Sequence, residues 1–107
     1  MNKKKKETEP MAIDQTIKIL LAEDGATMRK MEVKILQQIG YTHVIEAVDG
    51  AQAMEKLESE KDIQLVISDW NMPNKSGMDV LAWMRQNPTY KNTGFLMATG
   101  QGDKIYV

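Results

Sequence analysis

The sequence contains no cysteine, which removes disulfides, thiolate metal sites and cysteine nucleophiles and fits a reducing compartment. No apolar run approaches the ~18 residues of a membrane-spanning helix. Lys3 to Lys6 offer the positive start of a secretory signal, but Glu7-Thr8-Glu9-Pro10 stands where its apolar core would have to lie. A net charge of -1 gives no general reason to expect nucleic acid or an anionic membrane as partner. No Gly-Lys-Ser/Thr occurs and Gly100-Gln101-Gly102 is not a phosphate-binding loop, so nucleotide binding has no motif. Internal repeats and low-complexity domains are missing as well. What remains is an ordinary globular composition, 42% hydrophobic and 27% charged over 107 residues, and the expectation is a single-domain cytoplasmic protein.

Residues 1–15 are charged, carry Pro10 and lack periodicity, so they read as a flexible tail. Ile17 to Ala22 is the first strand, running directly into Glu23-Asp24-Gly25. Met28, Met31, Ile35, Leu36 and Ile39 then recur at helical steps until Gly40 provides a stop. These methionines read as core fillers. His43 to Val48 is a second strand, and Asp49-Gly50 opens a helix with Ala53, Met54 and Leu57 as its stripe. A lone His43 reads as a strand-end residue. Ile63 to Ser68 is a third strand whose apolar run suits burial on both faces, and it ends at Asp69. Lys75-Ser76-Gly77 leads into a third helix, closed by Asn87-Pro88, and Phe95 to Thr99 is a fourth strand. Strand and helix alternate three times, which predicts an α/β fold with a doubly wound parallel sheet and right-handed crossovers.

The chemistry collects at strand ends. In such a sheet the first strand pairs with the second and third, so Glu23, Asp24 and Asp69 converge at one edge, where open α/β sheets bind ligands. Gathered carboxylates repel unless a positive charge sits among them. A hard divalent cation such as Mg²⁺ answers that need, and an aspartate beside it is a plausible nucleophile toward phosphorus. Each residue has a plainer reading: Asp69 as a turn-capping loop residue, Glu23-Asp24 as helix-terminal charges, Thr99 as a strand former. At that edge the Thr99 hydroxyl can also donate to a phosphoryl oxygen.

Ala22-Glu23-Asp24, Thr27-Met28-Arg29, Glu46-Ala47 with Asp49-Gly50, Ser68-Asp69-Trp70-Asn71-Met72-Pro73-Asn74, Gly77 and Met97-Ala98-Thr99 together resemble the receiver domain of two-component response regulators, from about Lys18 to Gln101. The resemblance is greatest to the single-domain chemotaxis members. It implies a flavodoxin-like sheet in the order 2-1-3-4-5 and phosphoryl acceptance by Asp69 from a histidine kinase's phosphohistidine. It further implies Mg²⁺ held by Asp24, Asp69 and the Asn71 carbonyl with Glu23 acting through water, and Thr99 as the switch hydroxyl. A downstream output protein is implied too, a flagellar motor switch by analogy. Glu23 replaces the commoner aspartate with a longer carboxylate.

The family's fifth strand, its lysine and its fifth helix have no counterpart in these residues, because Lys104 and Tyr106 follow Thr99 too soon. The expected unit is a receiver domain over 16–107, C-terminally incomplete after the fourth strand. That leaves an apolar edge open to pairing or swapping between chains, and Ile105-Tyr106-Val107 favours extended structure. Two rival functions stand beside the leading one: a receiver-like interaction module that is not phosphorylated, and a haloacid-dehalogenase-type phosphatase, which Asn71 in place of a second acid disfavours.

Overall fold

A computed structural model describes residues 15–98 and the backbone of 105–106. Residues 1–14, 99–104 and 107 lie outside the described residues, and with them most of the charged tail and Thr99, the proposed switch hydroxyl. The elements are β1 (Lys18–Ala22), α1 (Ala26–Ile39), β2 (His43–Ala47), α2 (Gly50–Ser59), β3 (Ile63–Asp69), α3 (Gly77–Gln86), β4 (Gly94–Ala98) and β5 (Ile105–Tyr106). The sheet order is β2-β1-β3-β4-β5. The first four strands are parallel, as the alternation of strand and helix predicts.

Each helix ends where local chemistry stops it. Gly40, at φ 121°, closes α1 with its N–H and that of Tyr41 on the Leu36 carbonyl. Asp49 caps α2 by accepting from the Gln52 N–H at 2.7 Å. Ser76 and Asp79 form a reciprocal capping box at the start of α3. Among the described residues no helix is long and apolar enough to cross a membrane.

The core lies between one sheet face and α2 with α3. Leu20, Ala22, Val66, Phe95 and Met97 from the strands meet Ala53, Leu57, Val80 and Met84 from the helices. Alternation along the strands sends Ile19, Leu21, Leu65, Ile67 and Leu96 to the opposite face, where α1 packs. There the expectation of core-filling methionines is corrected. No residue of α1 is fully buried, and Met28, Met31, Ile35 and Ile39 are 39%, 51%, 48% and 55% exposed. Periodicity measures how wide an apolar stripe is, and α1 rests on the sheet by one margin of a stripe wider than its contact.

The far edge differs from a sheet that simply stops after four strands. Ile105 and Tyr106 pair antiparallel with Ala98 and Met97, in keeping with the extended preference of that segment. This two-residue strand meets only the carboxyl end of β4, and it is not the parallel fifth strand that the resemblance implies.

Candidate metal centre

Parallel pairing sets the geometry of the site. Ala22 of β1 lies beside Ala47 of β2 and Ser68 of β3, so the residues that follow emerge together at one edge. Glu23 and Asp24 leave β1 there, and Asp69 is the last residue of β3. One carboxylate oxygen from each of Glu23, Asp24 and Asp69 lies within 4.8 Å of the other two. The sequence-based expectation that these three acids converge therefore holds in space. Asn71 follows on the exposed loop after Asp69, and Thr99 lies outside the described residues.

Glu23 is buried, Asp69 is half-buried and Asp24 is exposed. Burial pushes the Glu23 carboxyl above its ordinary range, opposed by the Gly25 N–H that donates to it at 3.0 Å, with repulsion from Asp69 and Asp24 adding to the rise. Burial also raises the Asp69 carboxyl; the Trp70 N–H donating at 2.8 Å opposes this, and Asp24 adds to it. The cation closest in sequence, Arg29, is turned elsewhere: it donates to the Glu23 carbonyl at 2.8 Å and pairs with Glu46 at 3.0 Å. Among the described residues the ion pairs are this one and Lys18–Glu60, so neither neutralises the acidic cluster. Glu23 and Asp24 stand just ahead of α1, whose N-cap residue Gly25 receives no side-chain cap, so their negative charges lie near the helix N-terminus without capping it.

Three carboxylate oxygens at this spacing suit a hard cation. An octahedral ion with oxygen ligands at ~2.1 Å spans about twice that between opposite ligands, and the set leaves further positions for water or phosphate oxygens. The donor chemistry fits Mg²⁺. Gly77 brings the α3 start against the strand end: its N–H donates to the Trp70 carbonyl at 2.9 Å. A Cβ there would strike the Asp69 carbonyl and the Met97 sulfur.

Glu32 was not singled out by sequence and belongs to this neighbourhood. It lines an apolar cavity of about 160 Å³ with Leu21, Ile35, Leu36 and Ile67. Its carboxyl is pushed up to about 7 by burial, then by repulsion from Glu23 and Asp69. The signal was there: Glu32 stands four residues from both Met28 and Leu36, which puts it on the inner half of the stripe.

Comparison with known proteins gives one consistent answer. The profile of the response regulator receiver domain matches residues 19–107. Chemotaxis protein CheY1 of Helicobacter pylori is 36% identical over 91 residues, covering 85% of this chain and 73% of that protein. A probable chemotaxis protein CheY of Rhizobium etli is 39% identical over 97 residues, covering 91% and 74%. Among solved structures, chemotaxis response regulator CheY4 of Vibrio cholerae superposes with a TM-score of 0.70 at 34% identity, over 78% of this chain and 68% of that one.

Proposed function

The chain belongs to the response regulator receiver family, and from that premise we propose that Asp69 is a phosphoacceptor. A nucleophilic oxygen of its carboxylate attacks the phosphorus of a histidine kinase's phosphohistidine. The new O–P bond makes an acyl phosphate, the N–P bond breaks, and the imidazole nitrogen keeps the electron pair and takes a proton. Asp24, Asp69 and the Asn71 carbonyl would hold Mg²⁺, with Glu23 acting on it through water. Bound there, the ion offsets negative charge on the transferred group and on the carboxylates around it.

The chain's own residues do the positioning. Trp70 donates to one Asp69 oxygen, leaving the other free to attack. Glu23 and Asp24 supply the charge that draws the cation to the nucleophile. The Thr99 hydroxyl turns to the phosphoryl oxygens once they are in place, and the change in charge and hydrogen bonding biases a partner-binding surface. The output is of the chemotaxis kind, with a flagellar motor switch as target, and the domain's only chemistry is its own phosphorylation and dephosphorylation.

The observation that carries this reading is the convergence of three carboxylates at the ends of β1 and β3, one oxygen of each within 4.8 Å of the others. Incubation with acetyl phosphate and Mg²⁺ tests it by intact mass. One added phosphoryl group in the wild type, absent from Asp69→Asn and after chelation, supports the proposal. An unmodified wild type favours the interaction-module reading. No observation favours the phosphatase.

A further inference from the structure

The loop between β3 and α3 carries Asn71, and its far half is tied to a different part of the molecule. The Gly50 N–H, at the start of α2, donates to the Lys75 carbonyl at 3.0 Å. The approach is so close that a Cβ at Gly50 would run into that carbonyl. Next to it, Asn74 Nδ2 donates to Asp49 Oδ2. The other Asp49 oxygen accepts from the Gln52 N–H, and Gln52 Oε1 accepts in turn from the Val48 N–H at 2.9 Å. A single carboxylate thus caps a helix with one oxygen and holds a loop with the other.

Two further facts make this tie directional. Asn74 has φ 69°, a left-handed conformation that asparagine tolerates better than most residues. And α2 is a fixed reference, because its Ala53 and Leu57 are buried in the core. At the near end of the loop, Trp70 donates from its N–H to the Ala98 carbonyl at 3.2 Å and accepts from Gly77. Asn71 therefore sits between two anchored points, one on the sheet and one on α2.

We infer that Asp49 and Asn74 are a positioning pair that presets the Asn71 carbonyl for the cation. The inference rests on the assignment of Asn71 as a ligand made under Proposed function. Hydrogen-bonded groups behind a ligand fix its direction, and their loss weakens metal binding without touching the ion.

The test is a MgCl₂ titration followed by tryptophan fluorescence, with Trp70 adjoining Asp69 and Trp83 as a constant background. Asn74→Gly removes the side chain while accepting the left-handed backbone. Asp49→Ser keeps a helix cap but loses the oxygen that holds Asn74. Each single variant is expected to raise the half-saturating Mg²⁺ concentration about fivefold, and the double variant no further than either. Amide hydrogen exchange at Asn71, Met72 and Lys75 in metal-free protein is expected to speed up in the same variants. A wild-type response that the variants leave within about twofold, or effects that multiply in the double variant, would overturn the positioning role alone. No fluorescence response to Mg²⁺ in the wild type would overturn the metal assignment and the positioning role with it, and Asp24→Asn, which removes a proposed ligand outright, separates the cases by abolishing a genuine response.

Discussion

Replacing Glu32 by glutamine should change how the stability of this domain depends on pH. Glu32 lies against Leu21, Ile35, Leu36 and Ile67 with Glu23 and Asp69 nearby, and its carboxyl is displaced from 4.5 to about 7. A carboxyl whose folded-state pKa exceeds its unfolded value binds its proton more tightly when folded. Its contribution is complete below about pH 4.5 and is lost as pH rises through about 7. At full strength that displacement corresponds to ~3.4 kcal/mol. The side chain keeps part of its hydration, and solvent screening reduces the figure to about 1.5 kcal/mol. Urea unfolding of metal-free wild type and Glu32→Gln at about pH 5 and about pH 8 measures it. The variant should gain about 1.5 kcal/mol on the wild type between those two conditions. Saturating Mg²⁺ should shrink the difference by neutralising Glu23 and Asp69. Parallel stability curves for the two proteins would refute the burial argument and with it the placing of Glu32 beneath the acidic cluster.

Three further outcomes follow from the packing. Leu20→Ala, at a position 0% exposed, should cost about 2–5 kcal/mol in urea unfolding, whereas Ile35→Lys, at 48% exposure, should cost less than about 1 kcal/mol; equal losses would mean that the α1 stripe is covered. Gly77→Ala drives a methyl group into the Asp69 carbonyl and the Met97 sulfur, and should lower stability by about 1–3 kcal/mol while weakening Mg²⁺ binding. Among the described residues Met97 and Ala98 are the residues of β4 that pair with β5, and the Gly94–Leu96 edge is proposed to take a second copy of the chain. Sedimentation velocity should show concentration-dependent association that Leu96→Lys removes, and a monomer at all concentrations counts against it.

The strands and their acidic ends were legible because a strand covered on both faces is apolar at its centre, and the run Leu65 to Ile67 gives way through Ser68 to the carboxylate of Asp69. The topology then placed Glu23 and Asp24 beside Asp69 without knowledge of any side-chain conformation. Helix ends were readable from Gly40, Asp49 and Ser76, whose chemistry acts within a few residues. Less was legible where the answer depends on what lies across from an element. Met28 and Met31 carry the periodicity of a core helix, yet they remain exposed because no described element covers that side of α1. The register shift where Lys18 and Ile19 meet β3 leaves no mark in Ile63-Gln64-Leu65. Glu32 escaped notice because its polarity outweighed its position. The link between Asp49 and Asn74 joins residues 25 apart, and only the folded chain brings α2 against that loop.

The most direct measurement is intact mass and Trp70 fluorescence on one sample of wild type and Asp69→Asn, with beryllofluoride or acetyl phosphate added in the presence and absence of Mg²⁺. The account predicts a Mg²⁺-dependent adduct and fluorescence change in the wild type and neither in the variant. An adduct that forms equally on Asp69→Asn, or one indifferent to Mg²⁺, would contradict it.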